Sequence, residues 1–159
     1  MNILEIFGVI TLFAVFLACQ TEAAETISGV PRIVDGDTIV IGATKIRLES
    51  IDAPESDQIC VDENGDRWAC GIAARDRLAG YVGNSPVDCT PSGLDAYGRT
   101  LAVCRIKGED LNAWMVREGW ALAFIHYSKV YLPDEVEARD ARRGLWKGAF
   151  IAPWDLASS

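Results

Sequence analysis

Two pairs of carboxylates in this sequence have the spacing to do chemistry: Asp35 with Asp37, and Asp52 with Glu55. The first pair interrupts an extended stretch from Ser28 to Ile41, and the second closes a later one at Ala53-Pro54. Gly42-Ala43 offers a turn between the two stretches. A hairpin there carries residue 37 to the same end as residues 50–52. Carboxylates brought together repel, which costs stability unless a cation offsets it. Hard divalent cations take oxygen ligands from carboxylates and backbone carbonyls, and this corner supplies both. Plain turn chemistry is the alternative, because Asp-Gly and Asp-x-Pro are ordinary turn formers. It accounts for either pair alone better than for both together.

Two arginines add to the set. Arg47 sits in a short run between Ile46 and Leu48, and Arg99 follows the tight Tyr97-Gly98 turn. Guanidinium groups bind phosphate through a bidentate fork and stabilise charge that develops on it. Either arginine alone could be a strand-edge charge paired with Glu49, Asp95 or another neighbour. Two arginines, a corner suited to a metal and a spare carboxylate together form a phosphodiester-cleaving constellation.

The elements that must position these residues follow from periodicity. Ile39 and Ile41 alternate with Thr38 and Val40, and Ile46, Leu48 and Ser50 share one face of the next run, with Arg47 and Glu49 on the other. Residues 55–68 read as a polar loop. Ala74, Leu78, Tyr81 and Val82 then recur at helical spacing up to a stop at Gly83-Asn84. Pro86 to Thr90 and Thr100 to Ile106 read as strands joined through Pro91-Ser92-Gly93 and Asp95-Ala96-Tyr97-Gly98. A second helix carries Leu111, Trp114, Met115 and Glu118 and stops at Gly119. A third opens at Pro133, with Asp134 and Glu135 in its first turn, and closes at Gly144. Leu145-Trp146 can pack back on the core. The order predicts an α+β domain around a small β-barrel.

Composition bounds the rest. The chain has 159 residues, half of them hydrophobic, which suits one folded domain. Acidic residues outnumber basic ones by 23 to 15, for a formal charge of −8, which argues against wholesale electrostatic capture of nucleic acid or anionic membrane. A small, locally positive site is compatible with that balance.

Between Glu5 and Glu22 there is no charge, and Ile6 to Leu17 is almost continuously apolar. That length suits a signal-peptide core better than a membrane span. Thr21-Glu22-Ala23 supplies small residues for a cut after Ala23, so residues 1–23 read as a signal peptide of a bacterial protein exported to the periplasm or secreted. Leu17-Ala18-Cys19 also resembles part of a lipoprotein box, which makes a lipid anchor at Cys19 the alternative. A buried N-terminal helix or strand is the third reading. Removing residues 1–23 takes away Glu5, Glu22 and no basic residue, leaving a charge of −6.

It also removes Cys19 and leaves Cys60, Cys70, Cys89 and Cys104. An even set in an exported chain reads as a disulfide framework with three possible connectivities. We expect Cys60–Cys70 to close a surface loop and Cys89–Cys104 to link adjacent strands; buried free thiols are the alternative. The absence of a Cys-x-x-Cys pair argues against structural zinc.

Val34-Asp35-Gly36-Asp37-Thr38, Ile46-Arg47-Leu48, Ile51-Asp52-Ala53-Pro54-Glu55 and Asp95-Ala96-Tyr97-Gly98-Arg99 together resemble the staphylococcal nuclease family. Leu111-Asn112 ahead of Val116-Arg117-Glu118-Gly119, and the late Gly144-Leu145-Trp146, match its downstream pattern. The resemblance covers residues 28–150, with residues 151–159 as a C-terminal tail. It implies a five-stranded OB-fold barrel with three helices, and a calcium-dependent nuclease that cleaves DNA and RNA with little sequence specificity, leaving 3′-phosphate ends. By the same resemblance Asp37, Asp52 and the carbonyl of Ala53 are calcium ligands, supported from behind by Asp35. Glu55 is the general base or orients the attacking water. Arg47 and Arg99 clamp the scissile phosphate, and Tyr97 contacts substrate. A monomer with no obligate protein partner is expected.

The chain departs from the family in three places. The best-known members are strongly basic and have no cysteines in the loop after the glutamate. Their nucleotide-stacking tyrosines fall near Phe124 and His126 here, beside Tyr127. His126, the only histidine, has neighbours that favour stacking or packing over acid–base work. Of the tryptophans, only Trp68, on the polar loop, could serve as a nucleic-acid platform. A non-catalytic nucleic-acid-binding module and a calcium-binding structural domain are the rival readings.

Overall fold

A computed structural model describes residues 25–156. The expected signal peptide and Cys19 lie outside the described residues. Alternating apolar residues build a mixed sheet. Its strands are β1 (Ile27–Gly29), β2 (Arg32–Ile33), β3 (Thr38–Ile41) and β4 (Thr44–Leu48), followed after several intervening elements by three more. β5 (Ile51–Asp52) belongs to a separate two-stranded sheet, and β6 (Cys60–Val61) with β7 (Arg67–Trp68) forms a short hairpin. After α1 (Cys70–Val82) come β8 (Val87–Leu94), β9 (Thr100–Ile106) and β10 (Glu109–Asp110). The order then runs α2 (Leu111–Arg117), β11 (Leu122–Ala123), α3 (Leu132–Asp140), a 3₁₀ turn at Gly144–Lys147 and α4 (Pro153–Leu156).

The hydrogen-bonded path of the main sheet is β1-β8-β9-β4-β3-β2, with β10 added on β9. Every pairing in it is antiparallel except β4 with β9, which run parallel with Ile46 opposite Thr100 and Leu48 opposite Ala102. The sheet curls so that β1 approaches β3: a Cβ on Gly29 would stand 2.8 Å from a methyl of Ile41. Ile39, Ile46, Leu48, Leu78, Val82, Val87, Leu111 and Met115 are buried on its inner side with the helices. Each such side chain contributes roughly 1.5–3 kcal/mol. A second, smaller core of Cys60, Cys70 and Leu145, with Trp68 and Phe150 against it, ties the β6–β7 hairpin to the C-terminal part.

The α+β class and the hairpin at Gly42-Ala43 are as expected; Ile41 pairs with Thr44 across that turn. Both expected disulfides are present, Cys60–Cys70 and Cys89–Cys104, the latter between directly opposed residues of β8 and β9.

Four expectations need correction. The loop 55–68 contains the β6–β7 hairpin, whose two-residue strands are too short to leave a period. β8 runs on through Pro91 to Leu94, because β1 pairs only with Val87–Cys89; beyond Thr90 that side of the strand is open, so the missing N–H of proline costs no ladder bond. A bulge between Pro91 and Gly93 absorbs the mismatch with β9.

The third helix ends at Asp140, not Gly144, since Arg142 adopts a left-handed φ of 52°. Gly144 instead lets the 3₁₀ turn press on the end of α2: a Cβ there would lie 2.4 Å from the carbonyl oxygen of Gly119. Finally, there are four α-helices instead of three, the fourth being the single turn Pro153–Leu156.

Candidate active site

Arg47 is the hub. Strand alternation places Ile46 and Leu48 in the core and Arg47 on the opposite face. The β3–β4 register sets Thr38 opposite Arg47, and the amide of Leu48 donates to the carbonyl of Asp37 at 2.8 Å. Asp37 is thereby delivered beside the guanidinium, which donates one N–H to its carboxylate and another to that of Asp52. Asp37 Oδ1 also accepts the Thr38 hydroxyl at 3.1 Å, and Oδ2 the amide of Ala53 at 2.7 Å. Asp35 accepts the amide N–H of Asp37 at 3.2 Å. Glycine is needed between these aspartates, because a Cβ on Gly36 would lie 2.7 Å from that of Ala53.

Electrostatics follow from burial. Asp37 is 1% exposed, and desolvation pushes its carboxyl up to about 8 against the pull of Arg47. Desolvation also raises Asp52, again opposed by Arg47. Burial alone would lower Arg47, but the charges of Asp37 and Asp52 outweigh it and raise the guanidinium. Two dry carboxylates thus share one cation, and the corner gains from a second. Their oxygens are hard donors of the kind calcium takes. Among the described residues no three His, Cys, Asp or Glu side chains converge as a ready-made site. A metal at Asp37 and Asp52 therefore needs backbone oxygens and water to complete its shell, and with them the donor set fits.

The second arginine arrives on the β8–β9 turn. The Asp95 carboxylate accepts the amides of Tyr97 and Arg99, each at 2.9 Å, and the Arg99 Nε–H at 2.6 Å. Burial alone would raise Asp95, but the Arg99 amide, the Arg99 side chain and the Tyr97 amide together hold its carboxyl below the usual value. The Arg99 guanidinium lies 5.5 Å from the ring centroid of Tyr97, which is 86% exposed. Parallel pairing of β4 with β9 brings this turn beside Arg47.

A cleft of about 960 Å³ is lined by Arg47, Asp52, Glu55, Tyr97 and Arg99, with Lys45, Phe124, Tyr127 and Trp154 around them. Glu55 is exposed, and among the described residues none donates a hydrogen bond to its carboxylate, so it is open to water. Its backbone is fixed: Gln58 donates its amide to the Glu55 carbonyl at 2.8 Å and accepts the Glu55 amide on Oε1 at 3.3 Å. α1 also packs against it so closely that a Cβ on Gly71 would stand 1.7 Å from that carbonyl oxygen.

The structure therefore gathers Arg47, Asp52, Glu55, Tyr97 and Arg99 around one cleft and places Asp37 and Asp35 behind it, with Ala53 between Asp37 and Asp52. His126 meets the rings of Phe124 and Trp154 at centroid distances of 5.8 and 6.3 Å, a packing role. Trp68 lies away from the cleft, edge-on to Trp120 at 6.4 Å and against the second core. Sequence reasoning missed Lys45, Gln58 and Trp154, and took Asp95 only as a charge neighbour. The Asp95-x-x-Gly98 turn pattern carried a signal for that brace; nothing local marked the others.

A family model described as staphylococcal nuclease homologue matches residues 45–148. Arg47, Asp52, Glu55, Tyr97 and Arg99 fall inside it, while Asp35 and Asp37 stand just ahead. The chain is 34% identical over 139 residues to the succinoglycan biosynthesis protein ExoI of Rhizobium meliloti (strain 1021), covering 86% of this chain and 73% of that one. It is 38% identical over 134 residues to a micrococcal nuclease of Shigella flexneri, covering 74% and 71%. It is 32% identical over 146 residues to an uncharacterized endonuclease of Haemophilus influenzae, covering 87% and 75%.

Proposed function

The chain belongs to the staphylococcal nuclease family and is a nuclease, and on that premise we propose that it is a calcium-dependent enzyme hydrolysing phosphodiester bonds of DNA and RNA. It acts with little sequence specificity and leaves 3′-phosphate ends. One observation carries this reading: Arg47, Arg99 and an unengaged Glu55 line the same cleft.

The scissile phosphate lies between the two guanidinium groups. Arg47 uses two of its five N–H groups on Asp37 and Asp52, and the others are free to reach phosphate. Glu55 takes a proton from water, whose oxygen attacks phosphorus as the bond to the 5′ oxygen breaks. Arg99, pre-oriented by Asp95, stabilises the charge growing on the phosphoryl oxygens and the departing oxygen, which takes a proton from solvent and leaves as a 5′-hydroxyl. Calcium held by Asp37, Asp52 and the carbonyl of Ala53 would lower the negative charge that attack must overcome. Asp35 steadies that corner through the amide of Asp37. Tyr97, exposed beside Arg99, touches substrate.

The main sheet closes as an OB-type barrel, a reading supported by the approach of Gly29 to Ile41. The protein is exported after cleavage behind Ala23, with a lipid anchor at Cys19 as the alternative; two disulfides support an oxidising compartment. It works as a monomer.

The test uses the oxidised chain from Ala24 and heat-denatured DNA, with calcium, magnesium or excess chelator, beside Glu55→Gln. Calcium-dependent fragments with 3′-phosphates are expected. Glu55→Gln should cut roughly 10²–10⁴-fold more slowly while still binding DNA. No cleavage by folded wild-type protein in calcium would overturn the catalytic reading and leave a binding module.

A further inference from the structure

The last described segment is joined to the loop that carries Glu55. Val61 and Ala149 exchange two backbone hydrogen bonds of 2.9 Å, and a Cβ on Gly148 would stand 2.0 Å from the Val61 carbonyl oxygen. Buried Gln58, which holds the Glu55 backbone, donates its side-chain Nε2–H to the carbonyl of Ile151 at 2.8 Å. One residue therefore grips both the general base's loop and the C-terminal segment. Buried Pro153 then opens the single-turn helix α4, and Trp154 lines the same cleft as Glu55 and Arg99.

The indole of Trp154 is half-buried, 5.8 Å from the ring of Phe124 and tilted 50° to it. Phe124 is itself tied to the site through its amide, which donates to the carbonyl of Ser50 at 2.9 Å. The cleft thus offers phosphate-binding groups and an apolar aromatic wall side by side. That combination suits a nucleotide unit, since every base has a π-face that stacks on an aromatic ring whatever its sequence. Trp154 lies past residue 148, where the family match ends.

We propose that Trp154 is a substrate-binding residue, packing against a nucleobase next to the scissile phosphate, and that Gln58 positions it through Ile151. The inference rests on the nuclease reading and adds the C-terminal segment to the site.

The experiment compares wild type, Trp154→Ala and Trp154→Phe on a single-stranded oligodeoxynucleotide and on the same strand with abasic sites flanking the cut. Trp154→Ala should raise KM roughly 5- to 100-fold, the range that stacking on one base supplies, with kcat within about twofold. Trp154→Phe should recover most of that loss, and on the abasic strand the three proteins should share one KM. An unchanged KM for Trp154→Ala, or an equal rise on the abasic strand, overturns the proposal while leaving nuclease activity standing. Wild-type protein that neither cuts nor binds overturns both. Should Trp154→Ala fail to fold, the fluorescence difference between Glu55→Gln and Glu55→Gln/Trp154→Phe decides: the Trp154 signal must change on adding the oligonucleotide, and an unchanged signal overturns the assignment.

Discussion

Asp95 holds Arg99 by both ends, its Oδ2 accepting the Nε–H at 2.6 Å and its Oδ1 the backbone amide at 2.9 Å. The contact is made through Nε, so the terminal N–H groups of the guanidinium stay available to phosphate. An arginine fixed before substrate arrives loses less side-chain freedom on binding. A strand-edge ion pair and an arginine pre-oriented beside the cleft are here the same arrangement.

Replacing Asp95 by alanine should therefore slow catalysis more than it unfolds the protein. We expect kcat to fall about tenfold and stability by about 1 kcal/mol, the scale of a partly exposed charged hydrogen bond. The folded carboxyl sits below its ordinary 3.8. Its contribution is full above that value and is lost as pH falls through the lower folded one. Urea unfolding followed downward from pH 6 should thus show the widest gap between wild type and Asp95→Ala at pH 6, and a gap that narrows as pH falls below 3.8. A gap that widens on acidification would count against the charge-based brace.

Arg47 neutralises two carboxylates that have little water. Substituting methionine should cost about 3–5 kcal/mol by leaving them buried without a cation. Calcium should restore part of that loss, since a cation between Asp37 and Asp52 replaces the missing charge. Thermal melts in calcium and in chelator are the check: the calcium-induced rise in Tm should be larger for Arg47→Met than for wild type. An equal or smaller rise would argue that the ion binds elsewhere.

Reducing or deleting Cys60–Cys70 should cost about 2–4 kcal/mol through the freed loop of the unfolded chain. Because that bridge anchors the loop between Gln58 and Gly71, Cys60→Ser/Cys70→Ser should also lower kcat at temperatures well below its Tm. The matching change at Cys89–Cys104, inside the β8–β9 pairing, should lower Tm and leave kcat near wild type. Activity assays at 15 °C beside melting curves distinguish the two.

Much of the scaffold was legible where a local rule speaks. The turn at Gly42-Ala43 needed only alternation on both sides. The helix through Leu78 and Val82 needed only its apolar stripe, and the even set of cysteines brought the strand partners Cys89 and Cys104 under suspicion. What escaped depends on chain neighbours far apart in sequence. Arg47 could be read as a phosphate ligand from its flanks, yet its bonds to Asp37 and Asp52 exist only because β3, β4 and β5 meet at one corner. Pro91 argued against a strand, a reading that holds for strands paired on both sides and fails where β1 stops at Cys89. Asn112 is fully buried, its amide donating to the carbonyls of Glu49 and Ala102 and accepting from the Cys104 amide. The sequence shows only a polar residue on an apolar helix face, with nothing to say that three backbone groups await it.

The parallel pairing of β4 with β9 also fixes when the site comes into being. Arg47 and Arg99 lie on segments some fifty residues apart, and no turn between them can set one against the other. They meet only after β8 has folded back on β9 and β9 has docked on β4. Contacts between such distant segments carry the loop-closure entropy that makes them slow to form. A chain that ends before Arg99 holds Asp52 and Glu55 without the second guanidinium, so the two halves of the cleft become one site only once these distant strands have paired.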